Sequence, residues 1–219
     1  MNTTTKVAVI GLGNIGTAVA SNLVKGNHAV IVADRTIAKA NALAQQLGSL
    51  AQAMDIPSAI KEADVIVLAI WFNGIKEVLQ QYATELEGKI IVDPSNPIAP
   101  DENGGFKKII GEQESAGEII ASLLPKNAKL AKALGTLGVA SLTNAAFQQP
   151  LNVLFYATED CSITEVVEQL IRDNGFEPVR IGGFDQSIRI EVFGDLHEFG
   201  SLGKTVTKAE VKELAESVI

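Results

Sequence analysis

The sequence has one cysteine, two histidines, no cluster of basic residues and no long apolar run, and each shortage removes a class of function. A single thiol, Cys161, excludes an internal disulfide and suits a reducing, cytoplasmic setting. Asp160 beside it disfavours a thiolate, so Cys161 reads as an inert small side chain. The longest apolar run, Val65 to Phe72, has eight residues, against the roughly 18 that a membrane span needs, so no membrane partner is expected. With a formal net charge of −8 and no basic patch, a nucleic-acid partner is not expected either. Histidines, cysteine and carboxylates show no metal-ligand spacing, and no Ser–His or Lys-centred pattern stands out. The apolar stretch from Val7 to Ala20 could pass for a signal segment ending in Ala18-Val19-Ala20. Gly11, Gly13, Asn14 and Gly16 interrupt it and only Lys6 precedes it, so it is read as structure.

What is present is a composition of 47% hydrophobic and 20% charged residues, that of a globular chain. Within it one stretch carries more information than any other. Val7-Ala-Val-Ile10 runs into Gly11-Leu12-Gly13-Asn14-Ile15-Gly16, and a helix-spaced segment follows. This is the strand, glycine turn and helix start of a dinucleotide-binding βαβ unit. Gly11 serves the tight turn, Gly13 the approach of a pyrophosphate, and Gly16 the close packing of helix on strand. The unpaired N–H groups at the helix start, and its dipole, favour phosphate.

Strands are predicted at 7–10, 29–33, 50–53, 65–70, 90–92, 128–133, 152–157 and 177–181. Helices are predicted at 15–25, 37–47, 57–61, 75–86, 112–124, 163–173, 187–199 and 208–218. Continuous apolar strands alternating with helices predict an α/β protein of the Rossmann type, with a doubly wound, mostly parallel sheet and a short C-terminal helical region. The predicted organisation is a dinucleotide-binding domain over residues 1–183 and a helical extension over 184–219 that completes an acceptor pocket or an oligomer interface. Four of the seven prolines lie between 94 and 125, so residues 94–111 are read as an irregular excursion.

Asp34-Arg35-Thr36 closes the second strand. The carboxylate of Asp34 suits the ribose hydroxyls of NAD, whereas Arg35, Thr36 and Lys39 suit the 2′-phosphate of NADP. The residues alone leave both cofactors open, and a helix cap by Asp34 is the plain structural alternative. Ala69-Ile70-Trp71 ends the fourth strand at the ligand edge, where Trp71 either covers a ring or packs the next helix. Ser95, Asn96 and Pro97 end the fifth strand, and their hydrogen-bonding groups suit a nicotinamide or ribose or else an ordinary Asx/Pro turn. His28 falls at the opposite edge and reads as structural; His197, in the C-terminal region, reads more as packing than as a proton carrier. The apolar tail around Ile188–Phe193 and Leu196 has little sheet left to cover, which predicts a homodimer.

The chain also resembles a known family. The resemblance rests on Val9–Gly16, Val65–Ile70, Ile91-Val-Asp-Pro-Ser-Asn-Pro97, Glu114-Ser-Ala-Gly-Glu118, Leu124-Pro125, Lys132-Ala-Leu-Gly-Thr-Leu137, Gly175-Phe-Glu-Pro-Val179, Gly182-Gly-Phe184, Arg189 and Glu191. It is similar to the NADP oxidoreductases typified by coenzyme F420-dependent NADP reductase, whose fold is also found in the cytoplasmic domains of membrane ferric reductases. The resemblance implies hydride transfer between NADP and a flavin-like or deazaflavin ring such as coenzyme F420, with Thr136 and Leu137 near the acceptor and no side chain nominated as acid or base. Asp34 stands where the family usually has Ser or Thr, and Gly135 where it has Asn or His. Two further readings follow from the residues. One is a small-substrate dehydrogenase acting on hydroxyacids or imines with Lys204, Glu191 or His197; the other is a non-enzymatic NAD(P)-binding redox sensor.

Overall fold

The computed structural model describes residues 5–216. In chain order its elements are β1 (Val7–Ile10), α1 (Asn14–Lys25), β2 (Val30–Ala33), α2 (Ile37–Leu47), β3 (Ala51–Met54), α3 (Ile56–Glu62), β4 (Val65–Leu68), α4 (Phe72–Gln81) and β5 (Ile90–Asp93). After these come β6 (Ile98–Pro100), β7 (Phe106–Lys108), α5 (Ala116–Ala121), β8 (Lys129–Lys132), α6 (Val139–Asn144), β9 (Val153–Ala157), α7 (Thr164–Asp173), β10 (Glu177–Gly182) and α8 (Lys208–Glu216). Eight strands form one sheet in the order β10-β9-β8-β5-β4-β1-β2-β3. Every neighbouring pair is parallel except β8 and β9, which meet antiparallel at the one pair Lys132↔Ala157. The fold is the Rossmann-type α/β architecture expected from the sequence.

The strands are apolar without interruption because both faces are buried. Val7, Val9, Val30, Val32, Val65 and Val67 point to a core shared with Val19 and Leu23 of α1. Their neighbours Ala8, Ile10, Ile31, Ile66 and Leu68 point the other way, onto Ile60, Ile75, Leu79 and Ile120 of α3, α4 and α5. The period of two sends alternate side chains into opposite cores, which leaves no polar position in β1, β2 or β4. Strand order reverses between β1 and β4, and a crevice opens there beyond the carboxyl ends of the strands.

Four segments depart from the expectation. The excursion after β5 is not wholly irregular: Ile98–Pro100 and Phe106–Lys108 pair as an antiparallel hairpin, turned by Asp101–Gly105. Helix α5 begins at Ala116, not at 112, because Ser115 caps it and because the Glu112 and Glu114 carbonyls are held by the Lys108 ammonium outside the helix. α4 stops at Gln81, and the chain continues in turns that still bury Leu86. The helix expected over 187–199 is a 3-10 segment, Phe184–Ile190, followed by turns. The segment is not α-helical: Phe193 takes φ +76°, outside the helical region, and the chain packs backbone to backbone at Gly194 and Gly200. The expected end of the last helix, Ser217 and Val218, lies outside the described residues.

The C-terminal tail is not left uncovered, contrary to the expectation that motivated a homodimer. Ile190 and Val206 are buried against Val153 and Phe155 of β9, with Leu196 and Leu202 packed beside them, so the tail covers the face of its own sheet. No helix among the described residues is long and apolar enough to cross a membrane.

Candidate cofactor and acceptor site

Gly11 takes φ +91°, and a Cβ there would stand 2.4 Å from Ile70 Cγ2 and 2.6 Å from the Ala69 carbonyl. Gly16 is tighter still, its Cβ position lying 1.9 Å from the Gly11 carbonyl oxygen. These two glycines lock the turn, α1 and the end of β4 together. Gly13 differs in kind: a Cβ there meets no atom within 4 Å. It is the N-cap of the twelve-residue α1 and no side chain caps that helix. The first amides of α1 therefore face open space beside a position where only a missing side chain leaves room. That is the form a pyrophosphate cradle takes, and the residues present fit a dinucleotide. Leu12 is buried in the core and Ile15 packs at its margin, while Asn14 stands exposed at the helix start.

Asp34 is turned inward. Its Oδ2 accepts the Leu12 N–H at 2.9 Å and its Oδ1 the Thr36 N–H at 3.1 Å, with Lys39 Nζ at 3.5 Å from Oδ2. Burial alone would raise its pKa, but the two amides and Lys39 outweigh that and hold the carboxyl below the usual range. Asp34 thus fastens the glycine turn to the end of β2, while Arg35 and Thr36 stand exposed beside it. Trp71 is the N-cap residue of α4 and is 63% exposed, so it does not pack the helix.

Beyond β5 and β8 lies a buried polar cluster. Lys132 Nζ donates to Asp93 Oδ2 at 2.9 Å and to the Ser95 carbonyl, with both ionic side chains out of solvent. The Asn96 amide is spent on backbone, its Nδ2 donating to the Gly135 carbonyl (3.1 Å) and its Oδ1 accepting the Val192 N–H (2.7 Å). Pro97 is buried next to it, and Leu137 is a core residue. Gly135 lets these loops meet, since a Cβ would stand 2.4 Å from the Pro94 carbonyl oxygen. Ser95 Oγ, Thr136 Oγ1 and Glu198 Oε2 are buried there without a hydrogen-bond partner. Such atoms cost stability unless a ligand or water meets them.

The candidates for proton transfer are occupied. His197 Nδ1 accepts the Phe199 N–H at 3.0 Å, so Nε2 carries the proton and donates to the Gly135 carbonyl at 3.0 Å. Burial pushes the imidazole down to about 4, with the Lys132 charge adding to it and the Gly135 bond opposing. Glu191 is also buried, which raises its pKa against the pull of Lys132 and of two amides, those of Ala116 (3.0 Å) and Gly117 (3.1 Å). Lys204 is exposed and pairs with Glu210 at 2.8 Å. His28 sits at the amino edge between Asp173 (2.8 Å) and the Thr5 carbonyl (3.2 Å).

The His197 geometry predicts a pH effect on folding. Its folded pKa lies below the ordinary 6.5, so the neutral ring contributes stability above pH 6.5 that is lost as pH falls toward 4. The full loss is about 3 kcal/mol. Glu191, with a raised pKa, works in the opposite sense, so the measurement is the difference between wild type and His197→Gln. Urea unfolding at pH 7 and pH 4 is expected to show a smaller pH dependence in the variant; an equal dependence refutes the assignment.

Sequence reading missed Asp93 and Lys132 as a pair. The signal was present, an Asp ending one apolar strand and a Lys ending another, but only the adjacency of β5 and β8 joins them.

Comparison with known proteins bears on the same residues. Residues 6–97 match the family described as NADP oxidoreductase, coenzyme F420-dependent. The stretch runs from β1 to Pro97, through the glycine turn and the Ser95–Asn96 loop. An F420-dependent NADP reductase of Methanocaldococcus jannaschii is 23% identical over 201 residues, 87% of this chain and 90% of its own length. The rat metalloreductase STEAP3 is 27% identical over 186 residues, 85% of this chain and 36% of its own. This chain spans less than half of the rat protein and, at 46%, less than half of a Methanococcus maripaludis glutamyl-tRNA reductase. The crystal structure of a hypothetical protein from Sinorhizobium meliloti superposes with a TM-score of 0.80 at 27% identity, over 93% of this chain and 96% of that one.

Proposed function

We propose that the chain is an NAD(P)-dependent oxidoreductase that uses NADP and passes hydride between its nicotinamide and a flavin-like or deazaflavin acceptor. The observation that carries this reading is the open position at Gly13 before an uncapped helix, on the same strand edge as the unpartnered hydroxyls of Ser95 and Thr136. The nicotinamide supplies the hydride when bound. The chain's own work is positioning: α1 amides hold the pyrophosphate, Ser95 and Thr136 offer hydroxyls to the carboxamide end, Trp71 shields one side, and residues from 184 onward complete the acceptor pocket. Hydride transfer between rings needs little proton traffic, and the occupied state of His197, Glu191 and Lys204 agrees with that more than with a hydroxyacid or imine dehydrogenase. The exposed lone thiol of Cys161 fits a cytoplasmic setting.

The test is consumption of NADPH and NADH with riboflavin, a deazaflavin, imines and keto acids in parallel. Turnover confined to imines or keto acids overturns the reading, and tight NADPH binding without turnover on any acceptor favours the sensor instead. Cofactor choice has its own test. Because Asp34 is engaged by Leu12 and Thr36, Arg35→Ala is expected to weaken NADPH by about 1.5–3 kcal/mol, roughly ten- to a hundredfold, and to leave NADH unchanged. A wild type that prefers NADH and ignores this substitution refutes NADP use.

A further inference from the structure

Residues 191–199 form a strap across the carboxyl ends of β5 and β8. It is fastened at Glu191 to the Ala116 and Gly117 amides, at Val192 to Asn96, at His197 to Gly135, and at Glu198 to the Thr136 carbonyl (3.2 Å). On a strap held this closely, Phe193 is anomalous. Its backbone takes φ +76°, a region strained for any residue with a side chain, and its ring is 53% exposed. Neither backbone preference nor burial stabilises a phenylalanine there, and glycine would suit the turn better. Beside the ring is an open cavity of about 180 Å³, lined by Ile188, Val192, Glu191 and Gly194 and, near the hairpin, by Lys108 and Glu112. The Asn96–Val192 bond sets this cavity directly beyond the loop that carries Ser95.

We propose that Phe193 is the specificity-determining residue for the hydride acceptor, its ring stacking on a planar heteroaromatic acceptor seated between the strap and the base of the β6–β7 hairpin. The proposal rests on the reading of hydride transfer to a flavin-like ring. Strain and exposure are retained at one aromatic side chain that lines a cavity at the nicotinamide end of the crevice. Ile188 and Val192 supply an apolar floor for a ring, with Lys108, Glu112 and Glu191 at its margin.

Riboflavin is the probe, used with the full chain and its Phe193→Ala, Phe193→Gly and Phe193→Tyr variants. Three quantities are read: kcat and KM for riboflavin with NADPH, quenching of riboflavin fluorescence by protein alone, and the NADPH Kd. Ala and Gly are expected to lower kcat/KM about tenfold, through KM, and to weaken quenching by a similar factor. Tyr is expected to retain both. NADPH affinity is expected to be unchanged in all three, and the Gly variant to melt no lower than wild type, since it relieves φ +76°. Unaltered riboflavin binding and turnover in Phe193→Ala, with an active wild type, overturns the role of Phe193 and leaves the proposed reaction standing. An equal loss with small imines or keto acids overturns it too, as would a collapse of the strap. A wild type that binds NADPH but neither binds nor reduces riboflavin overturns both readings together.

Discussion

Gly13→Val is expected to abolish NADPH binding while leaving the fold untouched. The φ of −72° at Gly13 is ordinary for any residue, and a Cβ there meets nothing within 4 Å, so the backbone and its surroundings admit a side chain. The valine methyls would fill the space that the first amides of α1 face, and phosphate oxygens could no longer approach those donors. Losing several charge-assisted bonds of about 1.5–3 kcal/mol each weakens binding at least a hundredfold. Titration calorimetry with NADPH and NADH measures this, beside a melting curve that should match wild type. Gly16→Val is the contrasting variant: its Cβ would lie 1.9 Å from the Gly11 carbonyl, so it should lose stability and binding together. Full-strength binding by a folded Gly13→Val protein would remove the cofactor assignment.

Lys132→Met is expected to cost about 3–5 kcal/mol of folding stability, the toll of leaving a buried carboxylate alone. Asp93 and Lys132 are both out of solvent, and Lys132 also donates to the Ser95 carbonyl, so its loss strips two acceptors at once. Replacing both members, as Asp93→Leu with Lys132→Met, should cost less than Lys132→Met alone because no charge remains stranded. Urea denaturation of the single and double variants decides it. A double variant no more stable than Lys132→Met would mean that the pair is not coupled.

The glycine turn and the strands around it were legible in the sequence because their determinants are local. Val7–Ile10 has no polar position, the glycines follow at fixed spacing, and β1, β2, β4 and β5 fell within a residue or two of where the pattern placed them. The acceptor side was not, because its determinants are contacts between distant residues. Asn96 offered a free amide on paper and spends it on Gly135 and Val192; Asp34 suggested a ribose partner and engages Leu12. The strap at 191–199 has helix-like apolar spacing, but Gly194 and Gly200 are packed backbone to backbone, which no pattern of hydrophobicity records. The hairpin of β6 and β7 was hidden by the shortness of its strands, three residues each, and by Pro97 just before β6 and Pro100 at its end.

Strand β9 belongs to two neighbourhoods. Leu154 and Tyr156 face the main core, Val153, Phe155 and Ala157 face a smaller cluster with Ile190 and Val206, and β8 joins it through one residue pair. Substitutions on the outward side of β9 therefore accumulate with little effect on the six strands that carry the glycine turn. Over evolutionary time that outward face can change its sequence while the glycine turn and its strands are inherited intact.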